Sequence, residues 1–370
     1  MIIGVLIVAT LFLAYANGAN DAFKGVATLF GTGTTKYRPA LLLAVASTFL
    51  GSVCAVLFAV ALLEVFTGKG LVPDEVVSDP AFRSAVGLGA ACAVLLATRL
   101  GLPISTTHAL TGALVGGGLA AGAGLNGAAL GSTFAVPLLV SPFLALAVTG
   151  TIYWVFRLVR LRLGVTEEST VSAELPSLPE DPGGSPAVAV ARVAVEAEPG
   201  AQQIVEDAAA RQGAQRVEIG SRAILDGCHY VSAAAVGFAR GLNDTPKIAA
   251  LLVGMAALSL PVGLVLVGVL MAIGGILQAK RVAHTMSLEI TEMNPGQGLT
   301  ANLVTAGLVI FASRFGVPVS TTHVSCGSLF GIGVVGGGGH WNTIGTIVLA
   351  WVVTLPCGAL FAALGYALAS

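Results

Sequence analysis

Apolar residues fall into ten long runs, five on each side of a polar stretch. The first five cover roughly residues 1–32, 39–63, 84–98, 103–125 and 128–156. The second five cover roughly 223–245, 248–277, 299–313, 317–337 and 343–369. Runs of about 20 apolar residues have the length of a helix that crosses a bilayer. The pattern predicts an all-α polytopic membrane protein with membrane domains at 1–160 and 222–370. The stretch between them, 161–221, is different in kind. It holds Ser-Leu-Pro-Glu-Asp-Pro-Gly-Gly-Ser-Pro at 177–186 and ten acidic residues between Glu167 and Glu218. With few large apolar side chains to build a core, it reads as a flexible, water-exposed linker, with a short amphipathic helix around Ile204–Val217.

The two halves repeat each other. Ala97-Thr98-Arg99-Leu100-Gly101-Leu102-Pro103-Ile104-Ser105-Thr106-Thr107-His108 returns as Ala312-Ser313-Arg314-Phe315-Gly316-Val317-Pro318-Val319-Ser320-Thr321-Thr322-His323. Gly18-Ala19-Asn20-Asp21-Ala22-Phe23-Lys24 returns as Gly241-Leu242-Asn243-Asp244-Thr245-Pro246-Lys247. Two motifs recurring in one order mark a duplication. With about five membrane segments per half, an odd number, the halves have inverted topology. Arg157, Arg160 and Arg162 directly after a run place the linker in the cytoplasm and both termini outside. Twelve Lys and Arg then lie on the cytoplasmic side, against Lys69, Arg83, Lys247 and Arg314 outside. Inverted repeats are the architecture of secondary transporters, whose substrate site lies at the repeat interface.

Composition sharpens this. Only 10% of the 370 residues are charged, against about 25% in soluble domains, and the mean hydropathy is +0.90. A net charge of −1 argues against a nucleic-acid partner. The 48 glycines exceed the usual share and suggest tightly packed, broken helices. Met1–Ala16 ends in an Ala-x-Ala sequence but lacks the basic start of a signal peptide, so it reads as the first membrane helix. Cys54, Cys92, Cys228, Cys326 and Cys357 stand singly and show no metal-ligand spacing. Walker A, H-E-x-x-H and G-x-S-x-G sequences are missing, so neither an enzyme nor a cofactor is indicated.

Asp21 and Asp244 are carboxylates at membrane depth, suited to bind a coupling cation, Na⁺ included, or to carry a proton. In a soluble protein the same Asn-Asp would read as a turn or helix cap. Each Pro-x-Ser-Thr-Thr-His segment breaks a helix and starts another with a row of hydroxyls and free amides. Ser105, Thr106, Thr107, Ser320, Thr321 and Thr322 could thus face a tetrahedral oxyanion from two helix N-termini, with Asn20 and Asn243 beside them. One such residue would be an ordinary cap; three in a row, twice, suggest more. His108 and His323 read as packing or orienting residues. Lys24 and Lys247 stand one turn after each Asp, and Arg240 adds a further charge partner. In the polar stretch Gly274–Arg281, a half-helix or a loop, Gln278 is the candidate for a substrate contact.

With both motif pairs in order, the chain resembles the inorganic phosphate transporter (Pit) family over roughly 1–160 and 222–370. The resemblance implies symport of inorganic phosphate with Na⁺ or H⁺ across the cell membrane, re-entrant hairpins and a homodimer. It assigns Asn20, Asp21, Asn243 and Asp244 to the family signature and the two Ser-Thr-Thr runs to the anion. The sequence departs from the pattern where many members place Asn three residues after the signature Asp, since Lys24 and Lys247 stand there. An ammonium there takes a cation's place, which points to H⁺ rather than Na⁺. Arg240 stands where many relatives have His. The extra positive charges leave sulfate as the alternative substrate, and an anion channel or a phosphate-ester enzyme as rivals of another class.

Overall fold

A computed structural model of the chain describes residues 2–58, 60–164, 170–175, 192–196, 215–254 and 258–369. The long helices of the first half are α1 (Ile2–Asp21), α2 (Tyr37–Phe58), α3 (Pro80–Arg99), α4 (Thr106–Ala120) and α5 (Val136–Leu163). Those of the second are α6 (Ser221–Ala249), α7 (Leu260–Gln278), α8 (Pro295–Arg314), α9 (Thr321–Gly336) and α10 (Trp341–Ala369). The order matches helix by helix, and α3 and α8 agree in both bounds at an offset of 215. Among the described residues, seven helical stretches are long and apolar enough to cross a membrane. They correspond to α1, α2, α3, α5, α7, α8 and α10. Helices α4 and α9 have 15 and 16 residues, about 22–24 Å of helix. That is too short for a hydrocarbon core of about 30 Å. The pairs α3–α4 and α8–α9 are therefore hairpins whose tips lie inside the protein.

Residues Met1–Tyr153 and His229–Ser370 form one compact unit, so the two membrane halves fold together. Glycine lets the helices of one half lie directly on those of the other. A Cβ at Gly18 of α1 would strike the Met271 carbonyl of α7, and one at Gly241 of α6 would strike the Thr48 carbonyl of α2. The pair Gly51–Phe238 and Gly274–Tyr15 repeats the contact one step along the same helices. Likewise Gly112 and Gly116 of α4 meet the Leu355 and Ala359 carbonyls of α10, while Gly327 and Gly331 of α9 meet those of Pro142 and Leu146 in α5. Close backbone approach of this kind drives helix association where lipid gives no hydrophobic force. Each of these contacts has its counterpart in the other half, so these eight glycines hold two repeats face to face.

The second unit, Trp154–Cys228, departs from the sequence reading. Its described residues include three strands, β1 (Thr170–Leu175), β2 (Arg192–Glu196) and β3 (Gln215–Gly220), in an antiparallel sheet ordered β2-β1-β3. The amphipathic helix expected near Ile204–Val217 does not form at its described end, since Gln215–Val217 belong to β3; residues 204–214 lie outside the described residues. The reason is period-2 patterning, read above as mere polarity. Val171 is in register with Val195 and Ile219, and Ala173 with Val193 and Val217, so the alternating apolar positions line up across all three strands.

Gly18→Val and Gly241→Val should both lower the thermal unfolding midpoint in detergent, because a carbonyl occupies the space their side chains need. Overpacking of this kind costs about 1–3 kcal/mol. Gly4→Ala, where the added Cβ meets nothing, should leave the midpoint in place.

Candidate functional site

The site forms where α1 and α6 meet the two hairpin tips. Helix α3 ends in Leu100, Gly101 takes a left-handed φ of 74°, and Leu102 N–H returns to Ala97 O at 3.0 Å. Gly316, with φ 68°, does the same after α8, and Val317 N–H bonds Ala312 O at 2.9 Å. Only glycine takes this conformation without strain, and the resulting Schellman cap ends each helix. The chain then runs extended through Pro103-Ile104 and Pro318-Val319 to the next helix. Ser105 caps α4 by accepting from His108 N–H at 3.1 Å, and Ser320 caps α9 by accepting from His323 N–H at 3.2 Å. Helix geometry leaves the amides of Thr106, Thr107, Thr321 and Thr322 without intrahelical acceptors.

The asparagines of the repeated motif pin these tips. Asn20 Nδ2 donates to Thr98 Oγ1 and Leu102 O, both at 3.0 Å, and its Oδ1 accepts from Ile104 N–H at 3.1 Å. Asn243 Nδ2 donates to Ser313 Oγ at 2.8 Å, and Ser313 is the counterpart of Thr98. Sequence reading grouped Asn20 and Asn243 with the substrate ligands. In the structure both side-chain polar atoms of Asn20 and the Nδ2 of Asn243 bond the hairpins, while Asn243 Oδ1 accepts from Lys247 Nζ.

Five charged side chains are buried among the described residues: Asp21, Lys24, Arg240, Asp244 and Lys247. Lys24 Nζ donates to Asp21 Oδ1, to Thr322 Oγ1 and to Ile104 O. Lys247 Nζ donates to Asn243 Oδ1, to Thr107 Oγ1 at 2.9 Å and to Val319 O at 2.6 Å, and lies 3.5 Å from Asp244 Oδ1. Each lysine therefore reaches its own half's tip carbonyl and the other half's tip threonine. The threonines reciprocate, Thr107 Oγ1 donating to Val319 O at 3.4 Å and Thr322 Oγ1 to Ile104 O at 2.6 Å. Reciprocal pairing of equivalent positions is the mark of a two-fold relation. Thr106 and Thr321 complete the ring by donating to Asp21 Oδ2 at 3.5 Å and Asp244 Oδ2 at 3.4 Å.

The sequence reading missed the residue at the centre. Asn17 Nδ2 lies 3.1 Å from Asp21 Oδ2, 3.0 Å from Thr106 Oγ1 and 3.3 Å from Asp244 Oδ2. Its Oδ1 accepts from Arg240 Nη2 at 2.7 Å. Arg240 also donates to Thr48 Oγ1 at 3.2 Å and sets its Nε 3.7 Å from Asp244 Oδ2. A signal existed: Asn17 precedes Asp21 by four residues, as Arg240 precedes Asp244, so the two are repeat counterparts that touch each other.

Gln278, expected at the substrate, stands exposed at the end of α7, and the structure does not bring it to the site. The region around it continues through the helical turn Lys280–His284, where Arg281 donates to the Arg99 carbonyl and so caps α3. His108 and His323 stack behind the tips with centroids 4.4 Å apart, and His323 also lies 4.0 Å from the Trp351 ring. His323 Nδ1–H donates to Leu138 O at 3.1 Å, and Trp351 Nε1–H donates to Pro103 O at 3.1 Å. Packed behind the tips, the two histidines make no hydrogen bond to the buried charges. Beyond them lies a cavity of about 630 Å³ walled by Leu139, Phe143, Val352 and other apolar residues. Such walls cannot compensate a polyanion, so the cavity is distinct from the charged centre. No group of three or more His, Cys, Asp or Glu side chains placed to hold a metal ion occurs among the described residues.

A polytopic helical protein with two hairpin tips and opposed charges buried between them belongs to the class of membrane transporters. The profile of the Phosphate transporter family matches residues 17–362, and the chain belongs to that family. A Mycobacterium bovis protein named "Probable low-affinity inorganic phosphate transporter" is 28% identical over 98% of this chain and 76% of its own length. A Rhizobium meliloti protein of the same name is 28% identical over 99% of this chain and 96% of its own. A solved structure titled "The sodium-dependent phosphate transporter" shares the fold with a TM-score of 0.76 at 21% identity, covering 99% of this chain and 98% of that one.

Asn17→Ala should leave Arg240 and both carboxylates short of a partner. Unsatisfied buried polar groups cost about 1–3 kcal/mol each. The expected result is a lower unfolding midpoint and weaker phosphate binding, read by thermal-shift titration of the purified protein.

Proposed function

We propose that the protein moves inorganic phosphate across the cell membrane by cation-coupled symport. The observation that carries this reading is the pair of helix N-termini, α4 and α9, meeting at a centre that also holds three basic side chains. Helix N-termini and buried cations both favour an anion, and tip hydroxyls and amides offer hydrogen bonds to several oxygens of a tetrahedral one. Thr106, Thr107, Thr321 and Thr322 are the ligands in this reading, with Ser105 and Ser320 fixing the helix starts. Asp21 and Asp244 supply the negative charge through which a coupling cation acts.

The reciprocal contacts of the tips support inverted repeats that alternate access to a shared centre. The excess of Lys and Arg on the linker side supports a cytoplasmic linker with both termini outside. A channel is disfavoured because every charged group at the centre is paired with protein and buried, which suits a carrier that occludes its substrate. Sulfate remains the competitor to be tested.

Purified protein in liposomes should accumulate labelled phosphate under an imposed cation gradient, with weak competition from sulfate. Asp21→Asn and Asp244→Asn should each cut accumulation at least tenfold while preserving a monodisperse, folded protein. Near-normal accumulation in either variant would remove that carboxylate from the mechanism.

A further inference from the structure

The charge count at the centre does not close without a substrate. Lys24, Lys247 and Arg240 oppose Asp21 and Asp244, which leaves one positive charge buried in low dielectric. An uncompensated charge there is costly, and moving it between two access states is costlier still. Binding of one singly charged anion brings the sum to zero. When the anion leaves, the sum returns to zero only if one of the basic groups loses a proton. Arginine does not release its proton in proteins, so Arg240 is excluded. Between the lysines, Lys247 donates to three neutral oxygens and lies 3.5 Å from Asp244 Oδ1, with the Phe66 ring 5.6 Å from its Nζ. Lys24 instead touches its carboxylate, Asp21, directly, a group that can take the proton from it, and sits in the 3-10 segment Ala22–Gly25 that follows α1.

We propose that Lys24 carries the coupling proton, acting as a tethered cation that takes the place of a bound metal ion. The inference rests on the phosphate reading above. With H₂PO₄⁻ bound and Lys24 as an ammonium, the centre is neutral. On release of the anion, one N–H bond of Lys24 breaks, the electron pair stays on Nζ, and water carries the proton away on the same side. The centre, now holding a neutral amine, is again uncharged and can reorient; on the other side Nζ takes a proton from water before the next anion binds. One H⁺ and one H₂PO₄⁻ move per cycle, with no net charge crossing. Sulfate, a fixed dianion, would leave the centre at −1, which gives a physical ground for preferring phosphate.

The surroundings suit a group that gains and loses a proton. Lys24 Nζ contacts Asp21 on α1 and Thr322 on α9, with the Ile104 carbonyl from the α3–α4 tip. The other titratable groups that face it are Asp244 and Lys247 on α6 and His323 and the Cys326 thiol on α9. The Thr322 hydroxyl accepts from the ammonium, and by rotating away from Ile104 O it can donate to the amine. Its oxygen shell of carboxylate, carbonyl and hydroxyl is of the kind a hard cation takes, and the ammonium already fills it.

Two substitutions freeze the two charge states. Lys24→Arg keeps the positive charge but cannot release it. The expected result is uptake driven by a pH gradient reduced at least tenfold more than phosphate–phosphate counterflow is. Lys24→Gln holds the centre in the uncharged form, and the phosphate affinity should fall at least tenfold with its pH dependence flattened. The unaltered protein should take up phosphate equally well when choline replaces Na⁺, and an imposed membrane potential should not change the rate. Proton-driven uptake near the normal rate in Lys24→Arg would overturn the proposal, as would its loss of counterflow together with uptake. A strict need for Na⁺ would also overturn it. Absence of counterflow in the unaltered protein would instead refute the phosphate reading on which it rests.

Discussion

Charges in a membrane interior have to be answered by other charges or by hydrogen bonds, because no bulk water is there to do it. Everything at the centre of this protein follows from that requirement. Asp21 and Asp244 could not stand alone at such depth, and neither could Lys24, Lys247 or Arg240. Satisfying all five at once takes oxygen and nitrogen atoms from both halves, which is why the hairpin tips reach across to each other's lysine. The ring of contacts then fixes the place where α4 and α9 begin. The glycine contacts serve the same end from outside: by letting helices touch backbone to backbone, they bring the two halves close enough for short side chains such as threonine to close the ring.

Much of this was legible in the sequence because duplication writes the same constraint twice. A single Pro-x-Ser-Thr-Thr-His run could have been a helix cap, but the repeat with constant spacing singled out Ser105 to Thr107 and Ser320 to Thr322, and structure puts both runs at the centre. Asn17 escaped because its repeat counterpart is Arg240, a different residue type, so only the shared spacing to the aspartate, and not residue identity, marked it. The carbonyls of Ile104 and Val319 escaped for another reason, since backbone acceptors carry no mark of their own in a sequence. Gln278 illustrates the reverse error. A polar residue in a membrane helix suggested a ligand, yet its place at the last turn of α7 lets it face outward without cost. In the linker, acidic composition hid an alternation of small apolar residues that only strand pairing makes visible.

The asparagines show how a repeated motif can serve the shape of a site. Asn20 closes three bonds on the first hairpin, and an anion competing for those atoms would undo the tip that presents the threonines. Family membership says what the chain transports in broad terms. The local chemistry says which atoms hold the machinery in shape and which are left to meet a ligand.

One asymmetry stands out in an otherwise paired design. Helix α1 gives way after Asp21 to a 3-10 segment, Ala22–Gly25, whereas α6 stays α-helical through Asp244 and Pro246 to Ala249 at the matching positions. Pro246 has no amide to give to the Leu242 carbonyl, so the ladder of α6 is open where α1 tightens. In a chain built from two versions of one plan, the helical ladder is thus interrupted at matching positions in both halves, by a tighter winding in one and by a missing amide in the other.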